Sequence, residues 1–503
     1  MMNFPKRAGR LLCILLFFYA HFVTATITNY EFSFSKNCID AQKNISILKL
    51  DKARAILINE HKQNPQNTFT DYLDDYIDYY TLITNQQLEE LHKLEKNKTT
   101  RIDRIKNADQ NSPYFLYTQA EINLHWALSR TFNQEFITAA FEFRTAYQLL
   151  TENSKKYPSF APNKKSLGML KAVLGTIPDN FKWILNVIGM KGNFNEGLKD
   201  IKLFLDQKNL PQEQEIEKQS AEFYYTFLLL NFGEKKDCWK FCESVTGNYE
   251  TNLLSSYLRA FAGIKCAHND DAINACIHRP KGNEYTPFYM MEYFTGVAKL
   301  NKLDKDAEIY FKKFVTFYKG QNFVKDAYKR LSWYYILEGD TLKFTTYRGL
   351  AGKYGALNSD EDKNAQKESA AGIYPNTGIL KARLLFDGGY YMQAEEMMQN
   401  IKLQDLKTDY QKIEYYYRYG RIMHESNKIA KAIELYKRTI DESDISGNYF
   451  APNSCLQLGL IYEKLGYKNL AIQYLEKALA YKNYEYKSGI TQKVKAALNN
   501  LEQ

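Results

Sequence analysis

The sequence predicts an all-α fold, a right-handed α-solenoid of antiparallel helix pairs. The first observation is a pattern of small and large residues that returns along the C-terminal third, where Ala394, Ala432 and Ala471 lie 38 and 39 residues apart. The second is composition, with 40 Tyr and 30 Phe but only 11 Pro among 503 residues. Aromatic side chains fill seams between stacked helices, whereas proline interrupts helices. Because stacked pairs bury a continuous core together, such a repeat predicts the architecture directly.

The spacing of the repeated residues resembles the tetratricopeptide repeat, a helix–turn–helix unit of about 34 residues. Small residues occur where two helices must touch, and larger ones follow four positions later on the same helix face. The resemblance implies a concave surface that holds a partner, and it implies no catalytic residue. Three copies carry it: Leu458, Gly459, Tyr462, Gly466, Ala471, Leu475 and Ala478; Tyr419, Gly420, Met423, Ala432, Tyr436 and Thr439; and Ala382, Leu385, Gly389, Ala394, Met398 and Ile401.

Six segments follow from the helix, turn and loop signals along the chain. Ser112-Pro113 and Ser359 are predicted helix starts, since serine caps free amides and proline suits the first turn. The segments are a signal peptide at 1–25, divergent repeat-like pairs at 26–160, an apolar helical hairpin insert at 161–210, further divergent pairs at 211–350, a loop with a short helix at 351–376, and C-terminal repeats at 377–503.

The N-terminal residues predict export. Lys6, Arg7 and Arg10 precede a mostly apolar run, and Val23-Thr24-Ala25 supplies small residues for cleavage before Thr26. The run is short for a membrane span, which favours a cleaved secretory signal over an anchor. No lipid anchor is expected, because Cys13 does not lie at the end of the run. The predicted location is periplasmic or associated with the outer envelope, and the composition suggests a bacterial source.

One segment differs from an ordinary repeat, since it is the most apolar stretch after the signal. Its pattern is similar to a family of tetratricopeptide-repeat proteins that includes the fungal inclusion-body-clearance protein and its animal relatives. The resemblance implies the architecture, in an exported version here, and implies no functional residue. It is carried by Leu167-Gly168, Ile177-Pro178, Trp183, Gly189 to Asn193, and Gly197-Leu198.

Two interpretations of this hairpin are open. Most apolar runs of this length are buried, which favours a core hairpin. The alternative is a wedge for a membrane or an apolar ligand, with Phe181 and Trp183 as the contacts. Membrane contact is the less favoured of the two.

The cysteines also allow more than one interpretation. Cys238, Cys242, Cys266 and Cys276 fall within 39 residues of one another. Buried thiols are favoured first because free cysteine packs as a small apolar residue. At least one disulfide among the four is the second hypothesis, since the protein is expected to be exported. A metal site is the third and is not expected, because the spacing is not that of a zinc finger.

Motifs for catalysis are missing from the sequence. It contains no glycine-rich phosphate loop and no GxSxG motif, and His424-Glu425 lacks the second histidine of a zinc-protease motif. The net charge is +9, or +6 without the signal, and the basic residues form no compact cluster. The sequence therefore predicts neither an enzyme, nor a cofactor, nor a nucleic-acid partner.

The predicted function is a non-catalytic exported scaffold that binds a protein or peptide on its concave face. The repeat phase places Tyr416, Tyr417 and Arg421 at that face. The alternative is an envelope protein that binds a glycan or lipid through an aromatic groove or through the apolar hairpin.

Overall fold

The computed structural model describes residues 30–177, 183–189, 192–443 and 447–502. In these ranges the ordered secondary structure is helical and contains no strand, which confirms the predicted all-α fold. Two isolated β-bridges, Tyr30 to Ala108 and Glu31 to Asn67, attach the first described residues to the connections that follow α4 and precede α3. The predicted signal peptide, 1–25, lies outside the described residues.

The helices follow one another with short connections, and most neighbours in sequence pack against each other. Their bounds are α1 Lys36–Ser46, α2 Leu50–Gln63, α3 Phe69–Asn85, α4 Leu88–Ile105, α5 Pro113–Thr131, α6 Phe136–Lys156, α7 Pro162–Gly175, α8 Trp183–Ile188, α9 Phe194–Leu205, α10 Glu215–Phe232, α11 Lys235–Val245, α12 Leu253–Lys265, α13 Asn269–Ile277, α14 Met290–Asn301, α15 Ala307–Phe317, α16 Val324–Leu337, α17 Thr341–Lys353, α18 Asp360–Ala371, α19 Thr377–Asp387, α20 Tyr391–Gln399, α21 Asp409–Glu425, α22 Ile429–Asp441, α23 Phe450–Lys464, α24 Lys468–Ala480 and α25 Lys487–Glu502.

The predicted helix starts are present, and three glycines adopt a left-handed turn conformation. The hydroxyl of Ser112 accepts a hydrogen bond from the Tyr114 amide, and the hydroxyl of Ser359 accepts one from the Asp362 amide. Gly339, Gly389 and Gly466 have φ values of 81°, 84° and 81°. A side chain is strained in that left-handed region, which explains glycine in the turn between the two helices of a pair.

Small residues set how closely paired helices approach. A Cβ atom at Gly459 would lie 2.6 Å from the Leu475 side chain, and one at Gly296 would lie 2.9 Å from the Phe311 ring. In the apolar hairpin a Cβ at Gly197 would lie 2.4 Å from the Ala172 backbone nitrogen. Helix α7 therefore pairs with α9, and the hairpin glycines of the sequence pattern are contacts between these two helices.

The small packing positions yield a test of the repeat phase. Ala432 and Ala471 are fully buried. We expect Ala471→Leu to destabilise the fold by about 1–3 kcal/mol, because the added carbons overpack the α23–α24 contact. Ala480→Leu, at an exposed position of the same helix, is the matched control. Urea denaturation measures both variants, and equal stability of the two would mean that the repeat phase is misassigned.

A buried polar network joins helices of the N-terminal half. The ammonium group of Lys165 lies 2.5 Å from a carboxylate oxygen of Glu121 and 2.5 Å from one of Glu217. The Tyr117 hydroxyl also donates a hydrogen bond to Glu217, over 2.6 Å. Burial opposes ionisation of Glu217, but Lys165 and the tyrosine donors hold the pKa of its carboxyl group below the usual value. The network thus ties α5, α7 and α10 together through charges that are removed from water.

Candidate partner-binding groove

A groove of about 390 Å³ lies in the C-terminal half of the chain. The first helices of four successive pairs, α16, α19, α21 and α23, all contribute to it, together with α18. This is the arrangement expected when first helices line the inner surface of a solenoid. The lining residues are Lys329, Trp333, Asn364, Lys367, Glu368, Ala371, Ile373, Pro375, Asn376, Leu380, Arg383, Tyr410, Glu414, Arg418, Gly447, Asn448, Tyr449, Phe450, Glu485 and Tyr486.

Trp333 forms one wall of the groove, and two cationic side chains lie over its ring. The Lys329 ammonium and the Arg383 guanidinium each lie 4.7 Å from the ring centroid. The indole N–H donates a hydrogen bond to Glu368 of α18, which fixes the ring between the two helices. The face of the aromatic ring attracts both cations and holds them beside the groove.

Helix α21 presents a second group of side chains at four-residue spacing. Tyr410, Glu414 and Arg418 fall on one helix face because they are four residues apart. Arg418 is only 8% exposed, lies 3.4 Å from Glu414 through its Nε, and stands 5.8 Å from the centroid of the Phe450 ring. Its guanidinium is therefore paired within the wall and is less available to a partner.

Arg383 differs from Arg418 in its pairing. Its Nε atom is buried and has no hydrogen-bond partner in the part of the chain that the structure describes. The ring of Trp333 supports the guanidinium without consuming its donors. The two Nη atoms of Arg383 also have no partner among the described residues, and they are not enclosed, since the residue is only half-buried. An acceptor from outside can therefore reach the Nη atoms, although it cannot reach the buried Nε.

The groove carries four cations and three carboxylates. Burial raises the pKa of the Glu485 carboxyl group, while Lys367, Arg383 and Arg418 act in the opposite direction. The lining contains aromatic, charged and amide side chains, and among its described residues no histidine, cysteine or serine. Such a surface can hold a peptide by stacking and ion pairing.

The tyrosines predicted to face a partner occupy packing positions instead. Tyr416 and Tyr417 are 6% and 2% exposed. The Tyr417 hydroxyl accepts a hydrogen bond from Asn453 over 2.8 Å. Neither ring lines the groove, whose α21 residues are Tyr410, Glu414 and Arg418, so contact of Tyr416 and Tyr417 with a partner stays a prediction.

Arg421, the third predicted contact, is half-buried. Its guanidinium carbon lies 5.3 Å from the centroid of the Phe386 ring, and its Nη2 lies 3.5 Å from Glu425. It does not line the groove, so its role in binding stays a prediction. Arg421 directly follows Gly420 and Arg383 directly follows Ala382, which are equivalent repeat positions. The repeat position that predicts Arg421 as a contact therefore also indicates Arg383.

The apolar hairpin is only partly a core element. Met169, Leu170, Ala172 and Leu174 of α7 are buried. Trp183 is 39% exposed, which corrects the favoured interpretation that the whole segment is buried. Phe181 lies outside the described residues. Across the described ranges, no helix is both long and apolar enough to span a bilayer. Lipid contact by Trp183 stays a prediction.

The predicted cysteine group divides into two. Cys238, Cys242 and Cys266 lie in one buried cluster, whereas Cys276 packs into the main core. All four are unbridged in the structure. Among the described residues no group of histidine, cysteine and carboxylate side chains could hold a metal ion.

Residues 452–484 match the family model of the tetratricopeptide repeat. They span α23 and α24, whose packing is described above. The chain contains a tetratricopeptide repeat. The predicted repeat is thereby confirmed, while the more specific resemblance to the inclusion-body-clearance family and the bacterial origin are not tested by this match. No curated protein matches the chain in sequence.

Solved structures similar to this chain are remote. The tetratricopeptide-repeat domain of P58(IPK) is 15% identical, covering 83% of this chain and 97% of that one, with a TM-score of 0.22. The Cut9–Hcn1 hetero-tetramer of the APC/C is 14% identical, with coverages of 91% and 89% and a TM-score of 0.25. Yeast Tom70 is 13% identical, with coverages of 93% and 89% and a TM-score of 0.25.

Proposed function

We propose that this protein is a non-catalytic, exported scaffold whose C-terminal groove binds a peptide segment of a partner protein. The observation that carries the proposal is Arg383, a half-buried cation of the groove lining that lies on the Trp333 ring and has no ion pair among the described residues. A peptide that enters the groove gains an ion pair there and stacks on aromatic walls.

The repeat supports a binding function over a catalytic one. Tetratricopeptide repeats generally act as interaction scaffolds, and solenoids use extended concave surfaces for this purpose. The carboxylates of Glu368 and Glu414 already accept hydrogen bonds from the groove wall, whereas Arg383 has no acceptor. The groove therefore favours a peptide segment that carries a carboxylate. The partner is therefore a peptide with an acidic side chain or a C-terminal carboxylate near an aromatic or aliphatic residue.

The proposed export rests on the N-terminal sequence alone. Lys6, Arg7 and Arg10 before the apolar run, and the small residues before Thr26, favour cleavage by a signal peptidase. The proposed location is the periplasm or the outer envelope. The partner would then be another envelope or secreted protein.

Peptide display tests the binding function. A random peptide library is selected against the full protein, and the affinities of the enriched peptides are measured by calorimetry. We expect acidic peptides to be enriched, and Arg383→Gln to weaken their binding roughly tenfold or more, because a charge-assisted hydrogen bond is lost.

The control is Lys381→Gln, a charge removal on the same helix outside the groove lining. Binding that falls equally in both variants would indicate a general charge effect. Enriched peptides that bind Arg383→Gln as tightly as the unmodified protein would contradict the groove as the binding site.

A further inference from the structure

A second cavity, of about 390 Å³, lies between α1, α10 and the junction of α11 with α12. It shares no lining residue with the C-terminal groove. Three aliphatic side chains, Ile39, Ile216 and Val245, contribute to its lining, and the other members are charged, amide and hydroxyl residues. The cavity therefore suits a ligand that combines a carbon chain with a polar or charged end.

Glu222 supplies an unpaired carboxylate to this cavity. The residue is half-buried on α10, and its carboxylate oxygens have no hydrogen bond and no ion pair within the described ranges. These oxygens are not among the enclosed unpaired atoms of the protein, so a ligand can reach them. A partly desolvated carboxylate without a counter-charge gains free energy when a cation approaches it.

Two glutamine side chains connect α1 with the segment that contains α10. The Gln42 amide donates a hydrogen bond to the Glu213 carbonyl oxygen and the Gln219 amide donates one to that of Ser46, each over 2.8 Å. Gln42 is only 4% exposed. Both amide oxygens are buried, and in the part of the chain that the structure describes no donor reaches them. Because their partial negative charges are not compensated, they add to the preference of the cavity for a cation.

The charged residues around Glu222 do not neutralise it. Lys43 of α1 is exposed and lies 3.8 Å from Asp40. Burial raises the pKa of the Glu222 carboxyl group to about 7, while the charge of Lys218 acts in the opposite direction and that of Glu215 in the same one. The lining residues from α11, α12 and their connection carry no charge. The carboxylate is thus ionised above neutral pH and still open to a further cation.

We propose that this cavity binds a primary alkylammonium group, with the ammonium at Glu222 and the carbon chain along the aliphatic side chains. An ammonium group has three donors and no acceptor, which matches a lining with unpaired acceptors. A charge-assisted hydrogen bond to the carboxylate fixes its position. A lysine side chain and a free alkyl amine share this chemistry. The site lies on other helices than the groove and is independent of peptide binding there.

Ligand-observed NMR titration of the full-length protein tests the site with two probes. Butylammonium represents a free amine, and a short capped peptide with one lysine represents a protein side chain. We expect ammonium binding above neutral pH and none by the same peptide with an acetylated lysine, since acetylation removes the charge. Binding of the lysine peptide assigns the site to a partner's side chain, and binding of butylammonium alone assigns it to a free amine.

A variant and a pH series locate the ammonium at the carboxylate. We expect Glu222→Gln to weaken binding about tenfold or more, because a neutral amide forms no ion pair. Glu250→Gln, which removes an exposed carboxylate outside the lining, is the matched control. In the unmodified protein, lowering the pH from about 8 to about 6 should weaken binding roughly tenfold, because Glu222 is protonated while the ammonium keeps its charge.

The pH series needs no substitution, so it decides the matter even if a variant fails to fold. Absence of binding by both probes would overturn the proposal, as would equal binding of the lysine and acetyl-lysine peptides. Affinity that is unchanged in Glu222→Gln, or constant between the two pH values, would place the ammonium elsewhere. The capped peptide has no carboxylate, so its binding is distinguishable from peptide binding at Arg383 in the groove.

Discussion

Replacing Lys165 with methionine is expected to destabilise the fold by about 3–5 kcal/mol. Lys165 is fully buried and contacts the carboxylates of both Glu121 and Glu217. Methionine fills a similar volume but leaves two carboxylates in the interior without a counter-charge. The cost comes from those unpaired charges, which is why the effect is expected to exceed that of an ordinary core substitution.

Chemical denaturation of two variants measures this effect. Lys164→Met, one residue away on the same helix but exposed, is the matched control and should change stability little. Adding Glu121→Gln and Glu217→Gln to Lys165→Met should recover part of the loss, because neutral amides cost less to bury than carboxylates. Equal stability of Lys165→Met and Lys164→Met would show that the network is not formed.

Phe311→Ala is expected to cost about 3–5 kcal/mol as a large truncation in the core. The ring is fully buried and packs against Gly296, where no larger residue would fit. Alanine would leave a cavity at the contact between α14 and α15. Because each pair supports its neighbours in a solenoid, the loss should spread to adjacent helices.

Phe317→Ala is the matched control for this prediction. Phe317 ends the same helix and is 50% exposed, so its removal should have a small effect. Thermal denaturation compares the two variants. A Phe317 variant that loses as much stability as the Phe311 variant would contradict the assignment of the buried face of α15.

The repeat could be predicted because its signal is local. Ala394, Ala432 and Ala471 are fully buried at helix contacts, and Gly339 and Gly466 have the left-handed conformation of the turn. These positions recur at fixed spacing, so one sequence reveals them. Each depends on contacts between helices that are adjacent in the chain.

The polar network and the groove could not be predicted in the same way. Tyr117 and Glu217 are 100 residues apart, and Lys165 and Glu217 are 52 apart, so no short motif connects them. The groove likewise combines Trp333 with Tyr486 through a curvature that the sequence does not specify. The burial of Tyr416 and Tyr417 could not be predicted either, because the repeat phase does not show which ring the neighbouring helix covers.

The most direct test of the proposed groove is site-specific photo-crosslinking with a peptide selected on the full protein. A photoreactive residue is placed at Tyr486, a half-exposed lining position, or at Met392, which is 82% exposed and outside the groove lining. Peptide binding in the groove predicts a cross-link from position 486 that Arg383→Gln removes, and none from position 392. Cross-linking from position 392 alone, or a cross-link at 486 that persists in the Arg383→Gln protein, would contradict it.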